Sequence, residues 1–180
     1  MKHLIVVIIS MLLMTIGLDA SAQSYKYVEE QYADWTVMTG DGKPHRYNAI
    51  TTSTDGDGFL VYSCHVDDTC YLTMLSTAGC DVGSSYPMLM NSDSGASAVN
   101  STCIEYHSDL DSSEYSFSDP DAVLAETVFN DMRVGIAIPL ADGKFTALRF
   151  SLMGSQEAMA RVVQLSTSSG GKKSVESGEF

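Results

Sequence analysis

The sequence predicts a mainly β protein, an antiparallel β-sandwich or small barrel of about seven or eight short strands with one or two short helices. Three observations favour this class. Short runs rich in β-branched and aromatic residues recur along the chain, clusters of Gly, Asp, Asn and Ser separate them, and all four cysteines fall within one stretch, Gly58 to Glu105. We expect this stretch to form a disulfide-clamped core around which the other strands are arranged.

Eight segments have the composition of strands and end at turn-forming residues. They are Trp35–Thr39, Tyr47–Thr52, Phe59–Cys64, Cys70–Ser76, Tyr86–Met90, Ala96–Tyr106, Arg133–Leu140 and Phe145–Leu152. In the last of these, Phe145, Ala147, Arg149 and Ser151 should face away from the residues between them. Tyr25 to Ala33 is interpreted as a lead-in turn or short helix, and the acidic, serine-rich His107 to Ser118 as a surface loop.

Two helices are predicted in the second half of the chain. Asp119-Pro120 is typical of an N-cap followed by proline at the first helical position, and predicts a helix of about two to three turns that includes Ala122 and Phe129. A second, amphipathic helix should begin at Ser155 and run through Leu165.

The first residues predict a cleaved export signal. Lys2 and His3 precede the apolar run Leu4 to Leu18, and Ala20-Ser21-Ala22 has the small-x-small pattern that signal peptidase accepts. The run is shorter than the roughly 20 residues of a membrane span, although an uncleaved anchor is the alternative. We therefore expect a signal peptide at 1–22, a single β-rich domain with two disulfides at 23–165, and a flexible tail at 166–180. The product should be periplasmic or secreted, with no membrane span after cleavage.

The charge balance argues against one class of partner. The chain has a net charge of −13, and loss of residues 1–22 leaves it unchanged because that segment holds one base, Lys2, and one acid, Asp19. An acidic surface repels phosphate backbones. Nucleic acid is therefore excluded as a predicted partner, and another protein is favoured.

Four cysteines in an exported chain favour two disulfides, for which three pairings exist. Cys64 and Cys70 flank a polar turn between two apolar runs, so a hairpin would place them opposite each other. This favours Cys64–Cys70 with Cys80–Cys103 over the other two pairings, which stay open. No Cys-x-x-Cys occurs in the chain, and the spacings match no common zinc knuckle.

Two short motifs resemble a known family. Asp34-Trp35-Thr36-Val37, and Ser151-Leu152-Met153-Gly154 followed by Ala158, are similar to segments of the invasion-associated locus B proteins. The resemblance implies an exported bacterial β-sandwich, linked in some pathogens to host-cell invasion and without a defined reaction. The chain departs from the family where Met38-Thr39 stands in place of the usual cysteine.

Candidate chemical sites are few. His65 with Asp67 and Asp68, or His107 with Asp109 and Asp111, has the residue types of a divalent-metal site, although exposed loop residues are the plainer interpretation. Met88 and Met90 should share one face of a strand. Together with Met74 and His65 they are candidates for a soft copper site, against the alternative of core methionines that fill gaps.

No catalytic motif is complete in the sequence, and no Gly-x-Ser-x-Gly occurs. The sequence therefore favours a non-enzymatic exported module that binds another protein or supports the envelope, with no cofactor. One alternative is an envelope or extracellular hydrolase built from dispersed residues such as Asp34, His65 and His107. A periplasmic copper-binding protein is the other.

Overall fold

Ten strands and two helices make up the part of the chain that the computed structural model describes, residues 29–39, 46–67, 69–117, 122–140 and 142–170. The strands are β1 (Glu29–Tyr32), β2 (Trp35–Thr39), β3 (Arg46–Thr52), β4 (Gly58–His65), β5 (Cys70–Ser76), β6 (Ser85–Ser92), β7 (Gly95–His107), β8 (Ser112–Phe117), β9 (Arg133–Pro139) and β10 (Phe145–Ser151). The helices are α1 (Ala122–Asn130) and α2 (Ser155–Gly170). The predicted signal peptide lies outside the described residues.

All ten strands belong to one antiparallel sheet, in the order β1-β2-β3-β4-β5-β8-β7-β6-β9-β10. The prediction of a mainly β, antiparallel protein is confirmed, and two helices are present where one or two short ones were expected. The sheet is a single open one, however, and its ten strands exceed the predicted seven or eight. The two additional strands are β1, within the segment interpreted as a lead-in turn or helix, and β8, within the segment interpreted as a surface loop.

Strand β8 lies in the interior of the sheet, between β5 and β7. Ser113, Tyr115 and Phe117 alternate along it, and all three are buried. Residues on both faces of this segment are buried, so its serine and glutamate content does not bring it to the surface. The loop prediction was wrong because tertiary pairing overrides composition at such a position.

One face of the sheet carries the apolar core. The strand register places alternate residues of successive strands on this face, and its largest fully buried side chains include Trp35, Leu60, Met74, Tyr115 and Phe150. Helix α2 packs against β1 to β4 and against α1, burying Ala158, Met159 and Val162. Arg161 on this helix forms a two-point ion pair with Glu30 of β1, at 2.7 and 2.8 Å.

The sheet curls until its far end approaches its near end without closing. Ser53, just after β3, forms an isolated antiparallel bridge with Phe150 of β10. The adjacent backbone nitrogen of Thr54 donates to the Arg149 carbonyl at 2.8 Å. This isolated bridge joins the end of β3 to β10, the last strand of the sheet.

A second contact joins the two ends of the described chain. We call it the seam: the turn Ala33–Trp35 against the segment Ser151–Gly154. The Trp35 indole nitrogen donates to the Ser151 carbonyl at 3.2 Å, across 116 residues of sequence. The Asp34 backbone nitrogen donates to the Met153 carbonyl at 3.2 Å, and the Asp34 carboxylate accepts from the Ser151 hydroxyl at 2.5 Å.

Gly154 lets the two segments of the seam approach this closely. Its φ is +86°, in the left-handed region that favours glycine. A Cβ at this position would lie 2.7 Å from the carbonyl carbon of Tyr32, and closer still to the carbonyl oxygen. Any side chain larger than hydrogen must therefore push the β1–β2 turn away from Gly154.

Two disulfides stabilise the middle of the chain, Cys64–Cys70 and Cys80–Cys103. This is the pairing that the hairpin geometry favours, since Cys64 and Cys70 are directly opposite in the β4–β5 register. The second bridge ties the loop after β5 to β7. The Tyr115 hydroxyl supports the same loop by donating to the Ala78 carbonyl at 2.9 Å. Burial, and to a smaller extent the neighbouring Tyr86, raises the pKa of Tyr115 to about 12.

Helix α2 continues to Gly170, five residues past residue 165, the predicted end of the β-rich domain. Residues 171–180 lie outside the described part of the chain. Neither helix combines the length and the hydropathy that crossing a bilayer would need.

Candidate functional site: a cleft and a carboxylate–histidine cluster

The three residues proposed for a dispersed hydrolase site lie apart in the structure. His65 ends β4 and its ring nitrogen contacts the Tyr71 hydroxyl at 3.2 Å. His107 ends β7, and the antiparallel register places these two histidines at opposite ends of β5. Asp34 lies in the seam, where the Ser151 hydroxyl holds its carboxylate. Asp34, His65 and His107 therefore share no common pocket among the described residues.

The copper candidates are also divided. Met74, Met88 and Met90 are buried at 0–2% exposure on the core face, as expected of gap-filling methionines. His65 follows Cys64, which points to that core face, so its side chain lies on the opposite face of β4. A copper site at these four residues stays an untested prediction that the geometry does not favour.

The two loop clusters proposed for divalent metals have other contacts. Asp67 accepts from the backbone nitrogen of Thr69 at 3.1 Å, which closes the β4–β5 turn, and its predicted companion Asp68 lies outside the described residues. Asp111 accepts from the Tyr106 hydroxyl at 2.6 Å.

His107 instead forms a cluster with two glutamates, Glu105 and Glu114. Its Nε2 lies 2.8 Å from a carboxylate oxygen of Glu114, and one ligand atom from each of the three residues lies within 4.8 Å of the others. A β-bulge between Cys103 and Glu105 shifts the β7–β8 register, so that Glu105 is directly opposite Glu114. Bulges commonly re-aim side chains in this way. We call these three residues the carboxylate–histidine cluster.

A cleft opens on the other side of the molecule, over the outer face of β6, β9 and β10. Asn91, Gly135 and Arg149 are paired across these three strands and form its floor, in a space of about 270 Å³. Gly135 leaves the floor open: a Cβ there would meet nothing nearer than the Asn91 carbonyl oxygen at 3.7 Å. The cleft continues past Met132 and Met153, which are 62% and 50% exposed.

The rim of the cleft is anchored by aspartates on both sides. Asp93 in the β6–β7 turn accepts from the backbone nitrogen of Met132 at 3.1 Å and from the Arg133 Nε at 2.9 Å. Asp131 accepts from the Ser94 hydroxyl at 2.5 Å and its backbone nitrogen at 3.0 Å. Hydrogen bonds from the Ser92 and Ser94 hydroxyls hold the pKa of Asp131 below its ordinary value. The exposed Met132 thus sits on a fixed loop.

Arg149 differs from the other arginines of the cleft and the helices. Arg133 is paired with Asp93 and Arg161 with Glu30, whereas the Arg149 guanidinium has no hydrogen bond or ion pair among the described residues. Its electrostatic contact is with Asp55, whose pKa is lowered chiefly by the Ser53 hydroxyl and to a smaller extent by Arg149. The five donors of this guanidinium are available to a ligand.

Comparison with known proteins shows a likeness to a solved structure. No protein-family model and no curated protein matches the chain. The crystal structure of invasion associated protein B from Bartonella henselae is similar, with a TM-score of 0.54 at 13% sequence identity, over 77% of this chain and 97% of that one. The fold resembles that of invasion associated protein B. At this identity the likeness concerns the fold alone.

The two motifs that suggested the invasion-associated locus B family contact each other in the seam. Trp35 and Asp34 come from the first motif, and Ser151, Met153 and Gly154 from the second. The two motifs are joined by hydrogen bonds and by the close approach of Gly154 to the backbone of Tyr32. Within the described residues, the two motifs therefore have a structural role in this chain.

The position of some of these candidate site residues could be predicted from local sequence spacing. Glu105 and His107 are two residues apart, which on a strand places them on one side. Arg149 was expected to face opposite to Leu148 and Phe150, and it is exposed whereas those two residues are buried. Glu114 had no signal, because the segment that holds it was interpreted as a loop. The anchoring of the cleft rim also had none, since its partners are 37 to 40 residues apart.

Proposed function

We propose that this chain is an exported, disulfide-stabilised module that binds a protein segment in the cleft floored by Gly135 and Arg149. Export is supported by the apolar run followed by Ala20-Ser21-Ala22. The two disulfides also support it, because such bonds persist in oxidising compartments. The structural neighbour is described as an invasion associated protein, and no role in invasion is carried over from it.

The observation that carries the binding proposal is the unpaired guanidinium of Arg149 beside two exposed methionines, Met132 and Met153. Methionine is common on surfaces that accommodate partner side chains, and arginine is enriched among residues that dominate interface energies. A carboxylate is the ligand that a guanidinium binds with two parallel hydrogen bonds. The fitting occupant is a segment with an Asp or Glu side chain next to a large apolar one.

The fixed rim favours binding for a second reason. Ordering a loop on association costs free energy that reduces affinity. The hydrogen bonds of Asp93 and Asp131 hold the loop that bears Met132 before any partner arrives. The cleft therefore presents its apolar and cationic groups in a prearranged position.

The test uses a library of random peptides displayed on phage, selected on the purified mature protein. We expect enriched peptides to carry an acidic residue beside a large apolar one. Selected peptides should bind R149Q at least about tenfold more weakly, in line with loss of a charged hydrogen-bonded contact. Lys144→Gln is the matched control, because it removes one positive charge from the same hairpin at a residue already paired with Asp142.

Gly135→Ala provides a steric test of the same cleft. The added methyl group meets no atom closer than 3.7 Å, so the fold should tolerate it while the floor becomes shallower. We expect weaker peptide binding with an unchanged melting temperature. Peptides that bind wild type, R149Q and G135A equally well would show that the cleft is not the binding site.

A further inference from the structure

We propose that Glu105, His107 and Glu114 form a binding site for a divalent transition-metal ion of the zinc type. This site is on β7 and β8, whereas the cleft is on β6, β9 and β10, so the proposal does not depend on the peptide-binding role. The residues offer one imidazole nitrogen and two carboxylates. This donor set suits Zn²⁺ and leaves a fourth tetrahedral position for water.

The spacing of the ligand atoms is compatible with one ion. Tetrahedral ligands about 2.1 Å from zinc lie roughly 3.4 Å from one another. The three ligand atoms here lie within 4.8 Å of one another, and the closest pair, His107 Nε2 and a Glu114 oxygen, is 2.8 Å apart. Small rotamer adjustments of the exposed Glu105 and the half-buried His107 complete the geometry, while the buried Glu114 stays in place.

The strand register supplies an independent reason to expect a cation. Glu105 and Glu114 are directly opposite on adjacent strands, an arrangement that is destabilising for like charges. The side chain of Glu114 is only 9% exposed, and desolvation of a carboxylate is costly unless it is neutralised. Across the described chain, no lysine or arginine pairs with either glutamate. A bound divalent ion would neutralise both carboxylates at once.

The presence of histidine decides the class of ion. Calcium and magnesium are bound through oxygen, whereas an imidazole nitrogen selects zinc and its transition-metal neighbours. His107 must be neutral to bind the ion, so binding replaces its contact with Glu114. The plain alternative is a His107–Glu114 ion pair with no ligand, and this alternative predicts no site that responds to zinc.

The test is a zinc titration of the metal-stripped mature protein in competition with a chromophoric chelator. We expect one Zn²⁺ per chain, and a visible absorption band when Co²⁺ is used instead. His107→Ala and Glu114→Gln should each weaken zinc binding at least about tenfold, since even supporting residues of metal sites have effects of that size. Ca²⁺ should compete poorly, because the site depends on an imidazole nitrogen.

Two matched controls come from the residues that the sequence pattern singles out. The double variant D109N/D111N removes the acids next to His107 in sequence, and His65→Ala removes an unrelated surface histidine. Both should keep the zinc affinity of wild type. Glu105→Gln keeps the proposal testable should H107A fail to fold, because Glu105 is exposed.

Three results would overturn the metal site. The first is a wild-type protein that binds neither Zn²⁺ nor Co²⁺, and the second is binding that survives both E105Q and E114Q. The third is binding lost in D109N/D111N. Without metal, E114Q should be at least as stable as wild type, because it removes a buried negative charge opposite Glu105. A marked loss of stability in this variant would show that the His107–Glu114 ion pair is structural.

Discussion

The middle of the chain and its two ends are held together by different means. In the middle, two disulfides join residues that are 6 and 23 positions apart. At the seam, the Ala33–Trp35 turn and the Ser151–Gly154 segment meet across 116 residues or more, through three hydrogen bonds and the close approach of Gly154. The disulfides thus stabilise local hairpins, whereas the seam depends on hydrogen bonds and on the close packing of two distant backbone segments.

This difference has a physical reason. A hairpin brings its cysteines together at little cost, because few residues separate them. Joining distant segments requires most of the sheet to form first, and only then can the seam close. We therefore expect the seam to be more sensitive to a single added methyl group than the middle is to loss of a whole disulfide.

The largest effect is expected from Gly154→Ala. A left-handed alanine costs about 1–2 kcal/mol, and its Cβ would also overlap the backbone of Tyr32. The β1–β2 turn must move, so we expect a loss of about 4–5 kcal/mol in the free energy of unfolding. This is at the exceptional end for a single substitution, where backbone strain is one of the few causes. Urea denaturation followed by circular dichroism measures it.

Gly143→Ala is the matched control for this change. Gly143 also has a positive φ, +80°, but a Cβ there meets no atom within 4 Å. It should lose only the backbone term of about 1–2 kcal/mol. Equal losses in the two variants would show that the close approach at the seam contributes nothing.

The next effect comes from the disulfides. The loop-length relation gives about 3–3.5 kcal/mol for the Cys80–Cys103 bridge and about 2–3 kcal/mol for Cys64–Cys70. Replacing Cys80 and Cys103 by serine should therefore lower the melting temperature more than replacing Cys64 and Cys70. Neither pair should unfold the domain, because a chain of this size buries a sufficient core.

Thermal scans of both double-serine variants, with and without a reductant, check this order. Because the reductant opens every remaining bridge, wild type and both variants should then melt at about the same temperature. A larger loss from the shorter bridge would mean that restriction of the unfolded chain does not dominate the stabilisation.

The smallest effect is expected at Tyr115, which holds the same loop as Cys80–Cys103. Tyr115→Phe removes its hydrogen bond to the Ala78 carbonyl and should cost about 1 kcal/mol at neutral pH. The folded pKa of about 12 lies above the ordinary value of 10.0. The stabilisation is therefore complete below pH 10 and is lost as the pH rises from 10 to 12.

Wild type should lose more stability than Y115F across this alkaline interval, as judged by urea midpoints at stepped pH values. In a pH titration of the folded protein followed by tyrosinate absorbance, Tyr115 should be the last tyrosine to ionise. If both proteins respond alike, the Tyr115 hydroxyl ionises freely and does not support the loop.

Much of the middle of the sheet could be predicted from local pattern, because the strands flanking the cysteines alternate and end in clear turns. Strand β8 could not, since its Ser112, Ser113 and Glu114 are buried by neighbours that only the tertiary structure reveals. Strand β1 is a four-residue edge strand and carries too short a pattern to identify. The open sheet could not be distinguished from a sandwich or barrel, because strand order is not local information.

The candidate sites also divide into features that local spacing predicts and features that only the tertiary structure shows. Local spacing suggested His107 with Asp109 and Asp111, whereas the structure places Glu105 and Glu114 beside it. Glu114 reaches the cluster only through the β7–β8 pairing and its bulge. The outward direction of Arg149 was predictable from alternation along β10. The absence of a hydrogen bond or ion pair to its guanidinium, among the described residues, depends on contacts between distant turns.

The seam also holds the only tryptophan of the chain. Trp35 is fully buried and its indole nitrogen is hydrogen-bonded to Ser151. The intrinsic fluorescence of this protein is therefore a reporter of one joint and not of the whole fold. During folding, circular dichroism follows formation of the sheet, whereas indole emission follows formation of the seam between the first and last strands. The two signals therefore distinguish closure of the molecule from formation of its hairpins.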